Sequence, residues 1–324
     1  MKQPDRKEIA PLEFEKPIME LERKIHDMES HSNDHDLELG KEIESLRKKH
    51  DSMRHEIYDH LTPWQRVQIV RHPKRPFLMD YLDRIATDFV EIAGDRLFSN
   101  DKAMVTGFAT IAGERVVIVG HQKGRDTKEN ILRNFGMAHA EGYRKALRAM
   151  KLADKFGLPV LTFIDTPGAY PGVGAEERHI GEAIAVNIRE MFQLKVPVLG
   201  LVIGEGGSGG ALGIGVADRI LILENAYYSV ISPEGCAAIL WKDRAHAPKA
   251  AAALKMTSGD LKQLELVDEV ILEPMGGAQY DWSQAALAVK TAILKNLTEL
   301  KKLPTEKLLN QRYARYRKFG EFTE

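Results

Sequence analysis

Residues 196–203 read VPVLGLVI and run directly into GEGGSGGALGIG at 204–215. An unbroken run of Val, Leu and Ile this short reads as a strand buried on both faces, as in a mostly parallel sheet. A glycine-rich exit from such a strand, leading into a helix, belongs to α/β folds that keep ligands at strand ends. The pattern recurs. Strand 159-PVLTFID-165 is followed by the loop 166-TPGAYPGVGAEERH-179, and 219-RILIL-223 and 227-YYSVIS-232 are further apolar runs. Helical spacing is expected over roughly 138–156, 176–193 and 209–217, between the strands. Earlier, 103-AMVTGFATI-111 and 115-RVVIVGH-121 flank 112-AGE-114 and predict a hairpin. Ser232 followed by Pro233 predicts a capped helix start.

The ends of the chain differ from this middle. Ile18, Leu21, Ile25 and Met28 are spaced 3-4-3, and Ile43, Leu46, His50, Met53 and Ile57 are spaced 3-4-3-4. These stripes predict two helices joined by a turn at 30-SHSNDHD-36, either packed on their own domain or presented to another subunit. The prolines in 71-RHPKRP-76 break the helical pattern and set a boundary near 65–80. The expected division is an N-terminal helical arm over 1–75, a core over 76–275 and a helical extension over 276–324. In that extension 311-QRYARYRK-318 reads as a solvated basic helix, with RNA contact through Arg312, Tyr313, Arg315, Tyr316 and Arg317 as the rival reading.

The glycine run supports three chemistries. Gly204, Gly206 and Gly209 spell G-x-G-x-x-G, and Glu224 follows 20 residues after Gly204, where a ribose-binding acid belongs. The helix between them is short for a crossover. Gly206, Ser208 and Gly210 spell the G-x-S-x-G of a nucleophile elbow. Its base would be His246, with Asp218 or Asp243 behind it. The third reading needs no side chain. Gly206, Gly207, Gly209 and Gly210 lack Cβ atoms, and amides at a helix start can hold an oxygen that gains charge.

Other candidates have plainer alternatives. Asp165 ends its strand like a nucleotide-site acid, but no G-x-x-x-x-G-K-[ST] exists, so it reads as a turn cap. Glu176 and Glu177 are a possible carboxylate pair or simply first-turn acids. His121, Lys123 and Arg125 in 120-GHQKGRDTKEN-130 are a possible anion site or a solvated basic loop. Cys236, the only cysteine, is expected to be buried; one thiol makes neither a disulfide nor a cysteine-rich zinc site. The net charge of −1 gives no global pull toward nucleic acid or anionic lipid. With no apolar leader and no membrane-length run, a cytoplasmic protein is expected.

Four runs carry a resemblance: 120-GHQKGRDTKENILRNFGMAHAEGYRKALR-148, 162-TFIDTPGAYPGVGAEERHIGEAIA-185, 203-IGEGGSGGALGIG-215 and 229-SVISPEGCAAILWKD-243. In this order they resemble the carboxyltransferase α subunits of bacterial acetyl-CoA carboxylase, over nearly the full length. The resemblance implies a crotonase-like α/β fold, a spiral of ββα units. It implies a zinc-bearing β subunit in an α2β2 assembly, with no metal in this chain. It also implies a biotin carboxyl carrier protein delivering carboxybiotin, and a biotin carboxylase that uses ATP. Carboxybiotin would release CO2, the biotin enolate would deprotonate acetyl-CoA, and the thioester enolate would capture CO2 as malonyl-CoA. On the matching S-G-G-A step, the amides of Gly209 and Gly210 would form the biotin-side oxyanion hole. Gly206 and Gly207 would shape the turn, and Gly168, Gly172, Gly174 and Ala211 would form the carboxybiotin-facing wall. No catalytic role falls on Ser208 or Glu205. A self-contained acyl-CoA hydratase or isomerase using Glu205, and a non-catalytic scaffold, remain the competing readings.

Overall fold

The computed structural model describes residue 3 and residues 10–35 and 40–320. Among them, eight strands form one sheet. The first three are antiparallel: β1 (Thr87–Glu91), β2 (Met104–Ile111) and β3 (Glu114–His121). Ala112 and Gly113 join β2 to β3, both left-handed, at φ 49° and 85°. Such a turn matches the twist of the two strands. The remaining pairings are parallel. β3 is followed across the sheet by β4 (Val160–Thr166), β5 (Val198–Gly207), β6 (Arg219–Leu223) and β8 (Glu269–Ile271).

β5 is the central strand, and all ten of its residues are buried. Its first half pairs with β6, from Leu199 opposite Arg219 to Val202 opposite Ile222. Its glycine end pairs instead with β7 (Tyr227–Ser229), with Gly206 opposite Tyr228 and Gly207 opposite Ser229. The sheet therefore forks along β5. This extra pairing keeps the backbone extended through Gly207, beyond the point where the apolar run stops.

Helices cover the sheet. α6 (Ala140–Phe156) packs on β2, β3 and α8 (Ile180–Met191), while α13 (Trp282–Leu300) packs on α4 (Leu78–Ile85), β5 and β8. Gly157, left-handed at φ 68°, closes α6. Ser232 caps α10 (Pro233–Trp241) by accepting from Gly235 N, as the sequence predicts. Two expected helices are shorter than the periodicity suggests. The one near 176–193 splits into α7 (Val173–Glu177) and α8, because His179 is left-handed at φ 61°. The one near 209–217 shrinks to α9 (Ser208–Leu212), a single turn. α3 (Pro63–Val70), α4, β1 and β8 are not among the elements expected from the sequence, although Thr62, Pro63 and Gln65 spell a capped start for α3 and Leu78, Tyr81, Leu82 and Ile85 give α4 a helical apolar face.

The N-terminal stripes form α1 (Lys16–His35) and α2 (Gly40–Asp59). Helix α1 occupies 30–35 of the expected turn, and residues 36–39 lie outside the described residues. Ile18 and Ile25 are buried, whereas α2 buries no residue fully. Tyr58 OH closes the base of the pair by donating to Glu15 Oε1 at 2.5 Å, and Arg54 ties it to the core through the Met275 carbonyl at 3.1 Å.

The C-terminal stretch corrects the reading of its basic run at Arg312, while Tyr313, Arg317 and Lys318 are exposed as a solvated helix predicts. It breaks at 301–304 into α13 and α14 (Thr305–Arg317), and residues 321–324 lie outside the described chain. Arg312 is buried rather than solvated. It grips both carboxylate oxygens of Asp218, at 2.8 and 2.7 Å, and donates to the carbonyls of Met191, Leu194 and Val196. Arg315 pairs with Asp268, and Tyr316 OH accepts from Ala217 N at 2.8 Å. The Arg312 guanidinium is satisfied from within the fold, so its charge is not presented to a nucleic acid. Planar five-donor geometry suits arginine to this capping of several carbonyls at once.

Candidate active site

Three strand ends meet where β3, β4 and β5 run out, and their backbones touch. A Cβ on Gly207 would lie 2.2 Å from the Pro167 carbonyl oxygen, and one on Gly210 would lie 2.4 Å from the Gly168 carbonyl carbon. These are main-chain atoms, so no side-chain rotation relieves the clash. Glycine is needed at these two positions for close approach rather than for positive φ. Ser208 alone in the segment is left-handed, at φ 50°. A non-glycine residue held there marks local strain at the junction of β5 and α9.

The Gly209 and Gly210 amides occupy the first turn of α9, where no intrahelical acceptor exists. Among the described residues no backbone acceptor outside the helix engages them. The adjoining cleft, about 730 Å³, is lined by Pro167, Gly168, Ser208, Gly209, Ser232 and Arg71, among others. One turn of helix has little dipole, so the amides themselves supply the positive potential here.

Of the residues singled out from sequence, Gly168 and Gly209 line the cleft and Gly210 lies directly behind them. Gly206 and Gly207 belong to strand β5 rather than to a turn, so their main chain is engaged in the sheet. Ala211 is fully buried. Gly172 sits at the start of α7, and Gly174 within it faces Arg178, whose guanidinium would lie 3.0 Å from a Cβ added there. Neither of the latter two lines the cleft.

Beneath the glycines lies a buried charge network. Lys123 donates to Asp165 Oδ1 at 2.7 Å and to Glu205 Oε1 at 2.8 Å. Glu205 Oε2 accepts from Arg71 Nε at 2.8 Å and from Tyr227 OH at 2.6 Å. Arg71 reaches on to Glu234 in the first turn of α10. Asp165 also accepts from Glu205 N at 2.9 Å, across the strands, which corrects its reading as a turn cap. Its carboxylate fills the space where Gly204 would carry a side chain, 2.2 Å from that Cβ position. Burial alone would raise the Glu205 pKa; the charges of Lys123 and Arg71 outweigh it and bring it down to about 2. Burial likewise opposes the charge on Lys123, and Asp165 and Glu205 overcome it and raise its pKa.

The loop after β3 is thus no solvated basic loop. His121 is fully buried with neither ring nitrogen hydrogen-bonded. Burial, then the Lys123 charge, lowers its pKa to about 3, so it is neutral at pH 7. Arg125 lies 3.9 Å over the Phe77 ring and pairs with Asp80. Cys236 is buried. The hydrolase reading finds no base: His246 packs its ring 6.2 Å from that of Trp241 and makes no bond to Ser208. The acid of the dinucleotide reading, Glu224, accepts from Glu273 N at 3.2 Å through Oε2. Glu176 and Glu177 are exposed on α7.

Sequence reasoning missed Arg71 and Tyr227 as members of this network. A signal for the first was present: a glutamate inside an apolar and glycine-rich strand must find cations when buried.

Residues 11–320 match the family model described as acetyl co-enzyme A carboxylase carboxyltransferase-like. The chain belongs to this family. It is 56% identical over 314 residues to the acetyl-coenzyme A carboxylase carboxyl transferase subunit alpha of Thermus thermophilus, covering 97% of this chain and 99% of that one. The protein of the same description from Geobacter metallireducens is 54% identical, covering 97% and 98%. Among solved structures, transcarboxylase 12S superposes with a TM-score of 0.54 at 22% identity, over 68% of this chain and 42% of that one. A Pseudomonas malonate decarboxylase hetero-tetramer in complex with coenzyme A gives 0.55 at 18%, over 66% and 89%. The family's fold is the crotonase-like α/β architecture described above.

Proposed function

We propose that this chain is the α subunit of an acetyl-CoA carboxylase carboxyltransferase, which moves a carboxyl group from carboxybiotin to acetyl-CoA and yields malonyl-CoA for fatty acid synthesis. The observation that carries the mechanism is the pairing of open amides with a fully engaged acid. Glu205, the glutamate singled out for a hydratase, accepts from three donors and is held ionised, and Glu234 at the cleft is paired with Arg71. Glu205 cannot trade protons near neutral pH, which argues against a self-contained hydratase. The amides of Gly209 and Gly210 remain to do the work, by donating to an oxygen as it gains negative charge.

Biotin, carried in on the carrier protein, supplies the transferable carboxyl group and the base. The cleft beside Gly209 has the volume and the exposed main chain to admit such a group, with Gly168 and Pro167 on the opposite side. Gly206 and Gly207 hold β5 in register, so that α9 starts at the cleft wall. Gly172, Gly174 and Ala211 support the loops from behind. Two charged oxygens need stabilising in this reaction, and this chain offers one such junction. The second, with the acyl-CoA site and a zinc ribbon, is assigned to a β subunit in an α2β2 assembly. Biotin carboxylase consumes the ATP in an earlier step. The arm over 1–75 is assigned to subunit contact, 76–275 to the catalytic core and 276–324 to a clamp on that core. A cytoplasmic location fits this role.

The test is the reverse reaction, malonyl-CoA with a free biotin derivative. The chain alone is expected to be silent, and mixing with the β partner to give turnover. Gly210→Ala drives a Cβ into the Gly168–Ala169 peptide, and a loss of about 100-fold in kcat is expected with the complex still formed. Full activity in that variant would remove the amides from the mechanism.

A further inference from the structure

The segment 204–215 has seven glycines in twelve residues. A single turn of helix built from such residues has almost no stability of its own. Yet an oxyanion hole works only when its donors are fixed before the charge appears. Something outside the segment must therefore hold α9.

Two buried side chains on neighbouring helices do so. Tyr143 of α6 is fully buried, and its hydroxyl donates to the Gly210 carbonyl at 3.3 Å. Its ring lies flat against Gly213, where a Cβ would be 2.6 Å from both Cδ1 and Cε1. Asn187 of α8 donates through Nδ2 to the Gly213 carbonyl at 2.9 Å and to the Tyr143 carbonyl at 3.0 Å. One amide thus locks α6 to the end of α9. Ile184, a turn before Asn187, touches the Cβ positions of both Gly209 and Gly213, at 3.6 and 3.4 Å. The α6–α8 pair forms a cradle under α9 that grips the Gly210 and Gly213 carbonyls and leaves the Gly209 and Gly210 amides without an acceptor among the described residues.

We infer that Tyr143 and Asn187 are positioning residues for carboxyl transfer: they orient the Gly209 and Gly210 amides without touching substrate. This rests on the amide-based mechanism proposed above. The gripped carbonyls fix the Gly210–Ala211 and Gly213–Ile214 peptide planes, so the Gly209 and Gly210 amides are held on a short tether between Gly207, paired in β5, and the anchored Gly210 carbonyl. Releasing them leaves α9 in place by packing but lets its amides wander.

Tyr143→Phe keeps the ring on Gly213 and removes only the hydroxyl. Asn187→Asp keeps shape and removes both donated bonds. Each variant is assembled with the β partner and assayed in the reverse reaction, with thermal unfolding and complex formation measured beside it. The expected result for Tyr143→Phe is a roughly 10-fold lower kcat, with KM for malonyl-CoA unchanged within about two-fold. Asn187→Asp is expected to lose more in kcat, and Asn187→Gln to recover less than wild type but more than the Asp variant. A merely structural role would lower the unfolding temperature while leaving kcat of the assembled enzyme intact, and that outcome overturns the inference. If Tyr143→Phe keeps full kcat while Gly210→Ala loses it, the positioning idea fails and the amide mechanism stands. If Gly210→Ala also keeps full activity, the mechanism itself fails, and the positioning inference falls with it.

Discussion

Replacing Glu205 by Gln tests whether the buried network holds the cleft together. The substitution keeps size and shape but removes one negative charge from among Lys123, Arg71 and Tyr227. A carboxyl held at about 2 instead of its ordinary 4.5 contributes about 3 kcal/mol to folding at pH 7. Because the folded-state pKa is the depressed one, this contribution is complete above about pH 5. It then fades as pH falls toward 2, with more than half gone by roughly pH 3. At about 2.1 cal/mol/K of unfolding entropy per residue, a chain of 324 residues should lose about 4 °C in Tm. The assay is urea unfolding of wild type and Glu205→Gln at several pH values from 7 down to 3. A stability gap of about 3 kcal/mol at neutral pH that narrows on acidification is expected. A gap that is absent at pH 7, or that stays constant down to pH 3, refutes the reasoning.

Arg312→Met should destabilise the chain by about 3–5 kcal/mol, read by the same unfolding assay, because Asp218 is left buried and unpaired. Added salt should not rescue it, since the pair is shielded from solvent. Ser208→Ala should retain reverse-reaction turnover within about two-fold, because no base stands behind that hydroxyl; a large loss would reopen the nucleophile reading.

The strands were legible because each buried strand is a short run of Val, Ile and Leu, and the β2–β3 hairpin because Gly113 allows its turn. Ser232 and Pro233 announced α10 through local chemistry. What stayed hidden depends on register. Lys123, Asp165 and Glu205 come from the ends of three different strands, 82 residues apart at the extremes, and only the parallel pairing of β3, β4 and β5 brings them together. The glycine run looked like a turn into a short helix over 209–217; β7 extends β5 through Gly207 instead, and that pairing has no local signature. The basic stretch at 311–318 misled for a similar reason. A charged helix reads as solvated unless its partners are known, and those of Arg312 are distant carbonyls. The resemblance located the glycines, but not the side chains beneath them.

The Arg312 clamp also sets a schedule for synthesis. The carbonyls it caps, those of Met191, Leu194 and Val196, precede it by 121, 118 and 116 residues. At about 5–20 residues per second, the ribosome delivers Arg312 roughly 6–24 s after them. For that interval the entry to β5 carries open acceptors on a nascent chain whose sheet is otherwise able to form. Capping of these three carbonyls, and pairing of the Asp218 carboxylate, therefore wait until α14 emerges.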